Sequence, residues 1–117
     1  MNLTERELLE LAAKAAGLNN ARYCPEEDGL LSCIEYDDEN DCTLVWMPHL
    51  DNGDALRLAV KCGINPIQCV DSVDAMHFNS CIVETEMFED HNGDKCAATR
   101  RAIVRAAAAI QLSKEGK

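Results

Sequence analysis

Aromatic residues are scarce in this chain: two Phe, two Tyr and one Trp among 117 residues, or 4%. A core without large rings must be filled by Leu, Ile, Val, Ala and Cys. Long apolar runs are missing, and no stretch approaches the ~20 residues that a membrane span needs. The N-terminus lacks the basic patch and apolar segment of a secretory signal. These two gaps predict a cytoplasmic protein with no membrane partner. Paired cysteines are also missing. The seven are Cys24, Cys33, Cys42, Cys62, Cys69, Cys81 and Cys96, and the nearest two are seven positions apart. An odd number without a CxxC or CxH pair argues against both a disulfide framework and a zinc knuckle. Free, mostly buried thiols are expected instead.

Positive charge is missing from one long stretch. No Lys or Arg occurs from Tyr23 to Leu56, where Glu26, Glu27, Asp28, Glu35, Asp37, Asp38, Glu39, Asp41, Asp51 and Asp54 all fall. Residues 1–54 hold 13 acids against 3 bases, so the whole net charge of −10 resides there. Such a field repels phosphate backbones and attracts basic protein surfaces. Direct nucleic-acid binding is not expected, and a partner protein with a basic surface is. Glycine clusters are absent too. The six glycines are scattered at 17, 29, 53, 63, 93 and 116, so no phosphate-cradling loop can form.

What is present reads as one α+β domain over residues 1–117, a size that buries roughly 65% of its unfolded surface. Helical signals cover 3–17. Thr4 and Glu7 make a capping box, Leu3 and Leu8 a hydrophobic staple, and Gly17 a left-handed stop. Residues 18–28 read as a loop. Leu30–Tyr36 and Thr43–Met47 read as strands joined by an acidic turn at Asp37–Asp41. Asp51–Asp54 opens a second helix with Leu56, Ala59 and Val60 on its inner face, stopped by Gly63 and Pro66. Pro66–Val73 and Cys81–Phe88 read as two further strands. Asn92-Gly93-Asp94 opens a last, Ala-rich helix to about Ser113, whose small side chains suit close packing on a sheet. The expected order is α-β-β-α-β-β-α, with a mostly antiparallel sheet and helices packed on it.

Two blocks carry a family resemblance. One runs from Trp46-Met47-Pro48 into Asp51-Asn52-Gly53-Asp54-Ala55-Leu56-Arg57-Leu58-Ala59-Val60-Lys61. The other is Ala97-Ala98-Thr99-Arg100-Arg101-Ala102-Ile103-Val104-Arg105-Ala106-Ala107. With the first helix, Glu7-Leu8-Leu9-Glu10-Leu11-Ala12-Ala13-Lys14-Ala15-Ala16-Gly17, they resemble a family of small tailed-phage and prophage proteins. The resemblance covers about 40 of 117 residues. It implies the phage ABA sandwich, a layered α/β/α domain, and brings no reaction, cofactor or site residues with it. The segments Tyr23–Cys42 and Pro66–Phe88 depart from it, and divergent function is expected there.

Candidate chemistry is sparse. Asp37 cannot start an EF-hand loop, because Cys42 and Pro48 stand where Gly and Glu are needed. His49, Asp51 and Asp54 could donate to a metal, as could His91, Asp94 and Cys96, but Asp51 and Asp94 are explained as helix caps. No nucleophile motif is found, and neither an enzyme nor a cofactor is expected. Arg100, Arg101 and Arg105 form the most suggestive basic set. They serve either as scaffold ion pairs with acids such as Asp51 and Asp54 or as a small anion- or partner-contacting patch. Trp46 is either a core or rim plug or a contact anchor. These features predict a phage-encoded accessory factor that binds a host protein through Glu26, Glu27, Asp28, Asp37, Asp38, Glu39, Asp41 and Trp46. A small-ligand or metal module and a phage assembly protein are the alternatives.

Overall fold

A computed structural model describes residues 3–18, 22–24, 29–35 and 41–116, with side chains for 3–18 and 46–116. The chain is α+β. In order it forms α1 (Glu5–Ala15), β1 (Arg22–Cys24), β2 (Gly29–Glu35), β3 (Asp41–Trp46), α2 (Asn52–Cys62), β4 (Ile64–Gln68), β5 (Ser72–His77), β6 (Val83–Met87) and α3 (Lys95–Glu115). A 3-10 turn, Phe88–His91, links β6 to α3. Each half carries one strand more than expected. The strands form two antiparallel meanders, β1-β2-β3 and β4-β5-β6.

The helix ends follow the capping chemistry. Thr4 Oγ1 accepts from the Glu7 N–H at 3.1 Å, and Glu7 Oε1 accepts from the Thr4 N–H at 2.9 Å. At the other end of α1, Leu18 N–H reaches Ala13 C=O and Gly17 N–H reaches Lys14 C=O, with Gly17 at φ 82°. That is the Schellman arrangement. Asp51 and Asp94 cap α2 and α3. Gly63 ends α2 at φ 70°, and the ring of Phe78 lies so close over it that a Cβ there would meet Cδ1 at 2.3 Å.

The strand boundaries differ from expectation. Residues 66–73 are not one strand: the chain turns at Cys69–Asp71, with apolar Val70 at the tip and 91% exposed. Pro66 sits inside β4 rather than beyond a break. Phe78 N–H bonds Gly63 C=O and Cys69 N–H bonds Ser72 C=O, which fixes the ladder phase. Ile64, Pro66 and Gln68 then point their backbone groups away from β5, toward the open edge. A proline without an N–H costs nothing there. Residues 22–24, expected as loop, pair with β2.

α3 is the centre of the core. It packs against α1, α2 and all three strands of the second sheet. Ala98, Ala102, Ala106, Ala107 and Ala108 are buried along it and let Leu9, Leu58, Val73 and Ala75 come close. Ion pairs Glu5–Arg101 and Lys14–Glu115 show that α1 runs parallel to α3. The inner face of α2 is Ala55, Leu58 and Ala59. Leu56 and Val60 were expected on that face but are 63% and 74% exposed, because the buried arc of α2 is too narrow to include them.

Candidate functional site

Two of the three C-terminal arginines converge on one groove. Arg101 and Arg105, one turn apart on α3, line a cleft of about 530 Å³ together with Leu3 and Leu8 near α1 and Glu84 and Glu86 on β6. The strand period places both glutamates there. In Val83-Glu84-Thr85-Glu86-Met87, alternate residues take opposite faces, so Glu84 and Glu86 turn inward toward α3. Arg105 Nη2 meets Glu84 Oε1 at 2.8 Å, and its Nη1 contacts Glu86 Oε2. The same Nη1 donates to the backbone C=O of Thr85 at 3.3 Å. Arg101 pairs with Glu5 at the start of α1.

His91 completes the cluster from the 3-10 turn, its Nε2 lying 2.8 Å from Glu86 Oε1. Burial pushes the Glu86 carboxyl up. Hydrogen bonds and charge from His91 and Arg105 outweigh that and hold it below its usual value. The groove is therefore lined by paired carboxylates and arginines together with apolar Leu3, Leu8, Ala108 and Leu112.

Arg100 works elsewhere. Its Nε donates to His49 C=O at 3.0 Å and its Nη1 to Asn52 Oδ1 at 2.6 Å, which ties the turn after β3 to α3. Asp54, in the first turn of α2, accepts from the Met47 N–H at 3.0 Å and pairs with Arg57 at 2.7 Å. Asp51 caps α2 through the Asp54 N–H at 2.8 Å. The structure thus separates the predicted patch. Asp51 and Asp54 take Arg57 as their cation, while Arg100, Arg101 and Arg105 take other partners. Trp46 is half-buried and packs on the edge of the core.

The predicted acidic contact residues Glu26, Glu27, Asp28, Asp37, Asp38 and Glu39 lie outside the described residues. Asp41 pairs with Glu35 by backbone register in β3, and its side chain is outside the described set. Among the described residues, no three His, Cys, Asp or Glu side chains gather as metal ligands. Also among them, no helix is long and apolar enough to cross a membrane.

The expectation of mostly buried thiols needs correction. Of the four cysteines whose side chains are described, Cys69, Cys81 and Cys96 are exposed and Cys62 is half-buried. Cys69 and Cys81 fall in inter-strand turns, and Cys96 in the first turn of α3, so no core surrounds them. At Cys62 burial pushes the thiol up, and Lys114 and Lys61 pull it partly back.

The sequence also concealed an open sheet face. The inner residues Val73 and Ala75 are fully buried under α3. On the other side Ile67, Met76, Val83 and Met87 are 38–44% exposed, around an Asp74 carboxylate bonded to Thr85 Oγ1 at 2.7 Å. No Lys or Arg occurs between Lys61 and Lys95, while seven acids do. Nine of the eleven bases lie on the three helices. Comparison of the chain with protein families, with curated proteins and with solved structures finds no match.

Proposed function

We propose that this chain is a non-enzymatic binding factor that acts stoichiometrically on a partner protein with a basic surface. The observation that carries this reading is the uncovered face of the second sheet. Four apolar side chains stand exposed on strands that carry no Lys or Arg. Exposed apolar side chains around a carboxylate, on strands without a cation, have the composition of a docking surface, and the net acidity of these strands favours basic partners and speeds their approach. The resemblance of the α2 and α3 blocks to phage and prophage proteins supports a setting in the bacterial cytoplasm, with a host protein as the target. The acidic segments Glu26–Asp28 and Asp37–Asp41 would supply the long-range attraction.

The test is affinity capture from host lysate at low and at moderate salt. One host protein should be held at low salt and released as salt rises, because screening removes steering charge. Neutralising Asp37, Asp38, Glu39 and Asp41 together should remove that salt-dependent fraction without changing the far-UV spectrum of the domain. Retention of nothing at either salt would sink the proposal.

A further inference from the structure

We infer that the free edge of β6 takes an extended, basic segment of a partner protein as a fourth strand, seated in the groove beneath α1. This inference rests on the protein-binding reading and names where and how the partner is held.

The ladder geometry leaves that edge open. His77 N–H bonds Ile82 C=O, and Phe88 N–H bonds Asp71 C=O. In this phase Glu84 and Glu86 exchange bonds with Ala75 and Val73. Val83, Thr85 and Met87 therefore direct their N–H and C=O groups away from β5. Among the described residues only one of these groups is engaged, the Thr85 carbonyl held by Arg105 at 3.3 Å. That bond is long, and an incoming N–H can replace it at little cost. The opposite edge of the sheet is guarded differently. Pro66 presents no N–H, which makes β4 a poor template for an added strand.

Space and lining are matched to a strand. The cleft of about 530 Å³ lies beside β6 and is lined by Leu3, Leu8, Glu84, Glu86, Arg101 and Arg105. Arg101 is paired with Glu5, and the single charge of Arg105 is shared between Glu84 and Glu86, so the β6 side of the cleft keeps one net negative charge. Lys and Arg on an added strand suit that lining, with an apolar stem against the leucines and a cationic tip at the shared carboxylates.

Charge also selects against a second copy of this chain. Antiparallel pairing of two β6 edges centred on Thr85 would set Glu84 of each copy opposite Glu86 of the other; Arg105 offsets only one of the two charges in each copy, and the like charges that remain are destabilising. A basic segment gains where a second copy loses.

The probe is a capped octapeptide alternating Lys with Val and Thr, added to the full chain. Amide exchange is read residue by residue. A saturating peptide should slow exchange at Val83, Thr85 and Met87 by about tenfold or more, the protection expected of amides drawn into a ladder. An analogue N-methylated at alternate residues, and one with Glu in place of Lys, should give no protection. Met87→Pro tests the protein side. Met87 already has φ −83° and follows a strand residue, so proline fits and removes one edge donor. It should weaken the peptide about tenfold and leave the thermal midpoint within a few degrees.

Equal binding of the N-methylated peptide would reduce the effect to surface charge and overturn the edge assignment. Protection that rises with protein concentration alone would assign the edge to a second copy and overturn it too. No saturable protection would do the same. Salt-sensitive capture of a host protein, with β6 amides unprotected in that complex, would leave the binding function standing and remove only this mode.

Discussion

The second sheet has two faces built from the same three strands, and they behave as different materials. Beneath α3, Val73 and Ala75 are fully buried, and Glu84 and Glu86 are locked to Arg105 and His91. On the reverse, Ile67, Met76, Val83 and Met87 stand in solvent around the Asp74–Thr85 bond. On the inner face Val73, Ala75, Glu84 and Glu86 are committed to packing and pairing, while the outer apolar side chains keep 38–44% of their surface exposed. Alternation along a strand lets one short segment serve both purposes.

The sharpest break of this comparison lies three residues apart on β5. Val73→Ala should cost about 2–3 kcal/mol, since the removed methyl groups leave a cavity under a close-packed helix. For a domain of this size that is a fall of roughly 10 °C in thermal midpoint by calorimetry. A cost under 1 kcal/mol would mean that α3 settles into the space. Next comes Arg105→Met, which strands Glu84 and Glu86 beside each other. Loss of about 2 kcal/mol is expected, below the figure for a deeply buried pair because the arginine is about one-third exposed. Adding Glu84→Gln and Glu86→Gln to that variant should restore most of it. Denaturant titration of these two variants, the unaltered protein and the Glu84→Gln/Glu86→Gln variant closes the cycle.

A third and smaller effect concerns acid. The Glu86 carboxyl is held below its usual value in the folded protein. Its contribution is therefore complete above the ordinary carboxylate pKa and lost as pH falls through the depressed folded value. Glu86→Gln should flatten that acid limb and change little at neutral pH beyond a constant offset. An unchanged slope between pH 5 and pH 3 would assign the limb to other carboxylates. The smallest effect belongs to the outer face. Met76→Lys should move stability by no more than about 0.5 kcal/mol, as for most surface substitutions. A loss above 1.5 kcal/mol would show that this face is covered in solution.

The helices were legible because their ends are written in local chemistry. Thr4 with Glu7, Asp51, Asp94, Gly17 and Gly63 all act where their side-chain oxygens or left-handed backbones predict. The second meander was less legible. Apolar Val70 at a turn tip and Pro66 inside a strand both contradict the usual punctuation; the ladder phase explains the proline, and nothing in the structure explains the valine. The burial of α2 was misread because Leu56 and Val60 resemble core residues to any scale that ignores their neighbours. The groove was hidden for a different reason. Glu84, Glu86 and His91 are unremarkable singly, and their partner Arg105 lies about twenty residues away on another element. The alternation Glu84-Thr85-Glu86 was visible, but sequence alone does not say which face of a strand a later helix will cover.

α3 is synthesised after every element that packs on it. Until it leaves the ribosome, the leucines of α1 and α2 and the inner side of β5 have nothing to close over. Upstream segments can form hairpins and transient turns, yet long-range closure waits for the last helix, and its entropic cost falls late. A nascent chain that has reached only Asp94 thus leaves Val73 and Ala75 without the helix that covers them. In the cell this interval is a window for chaperone capture.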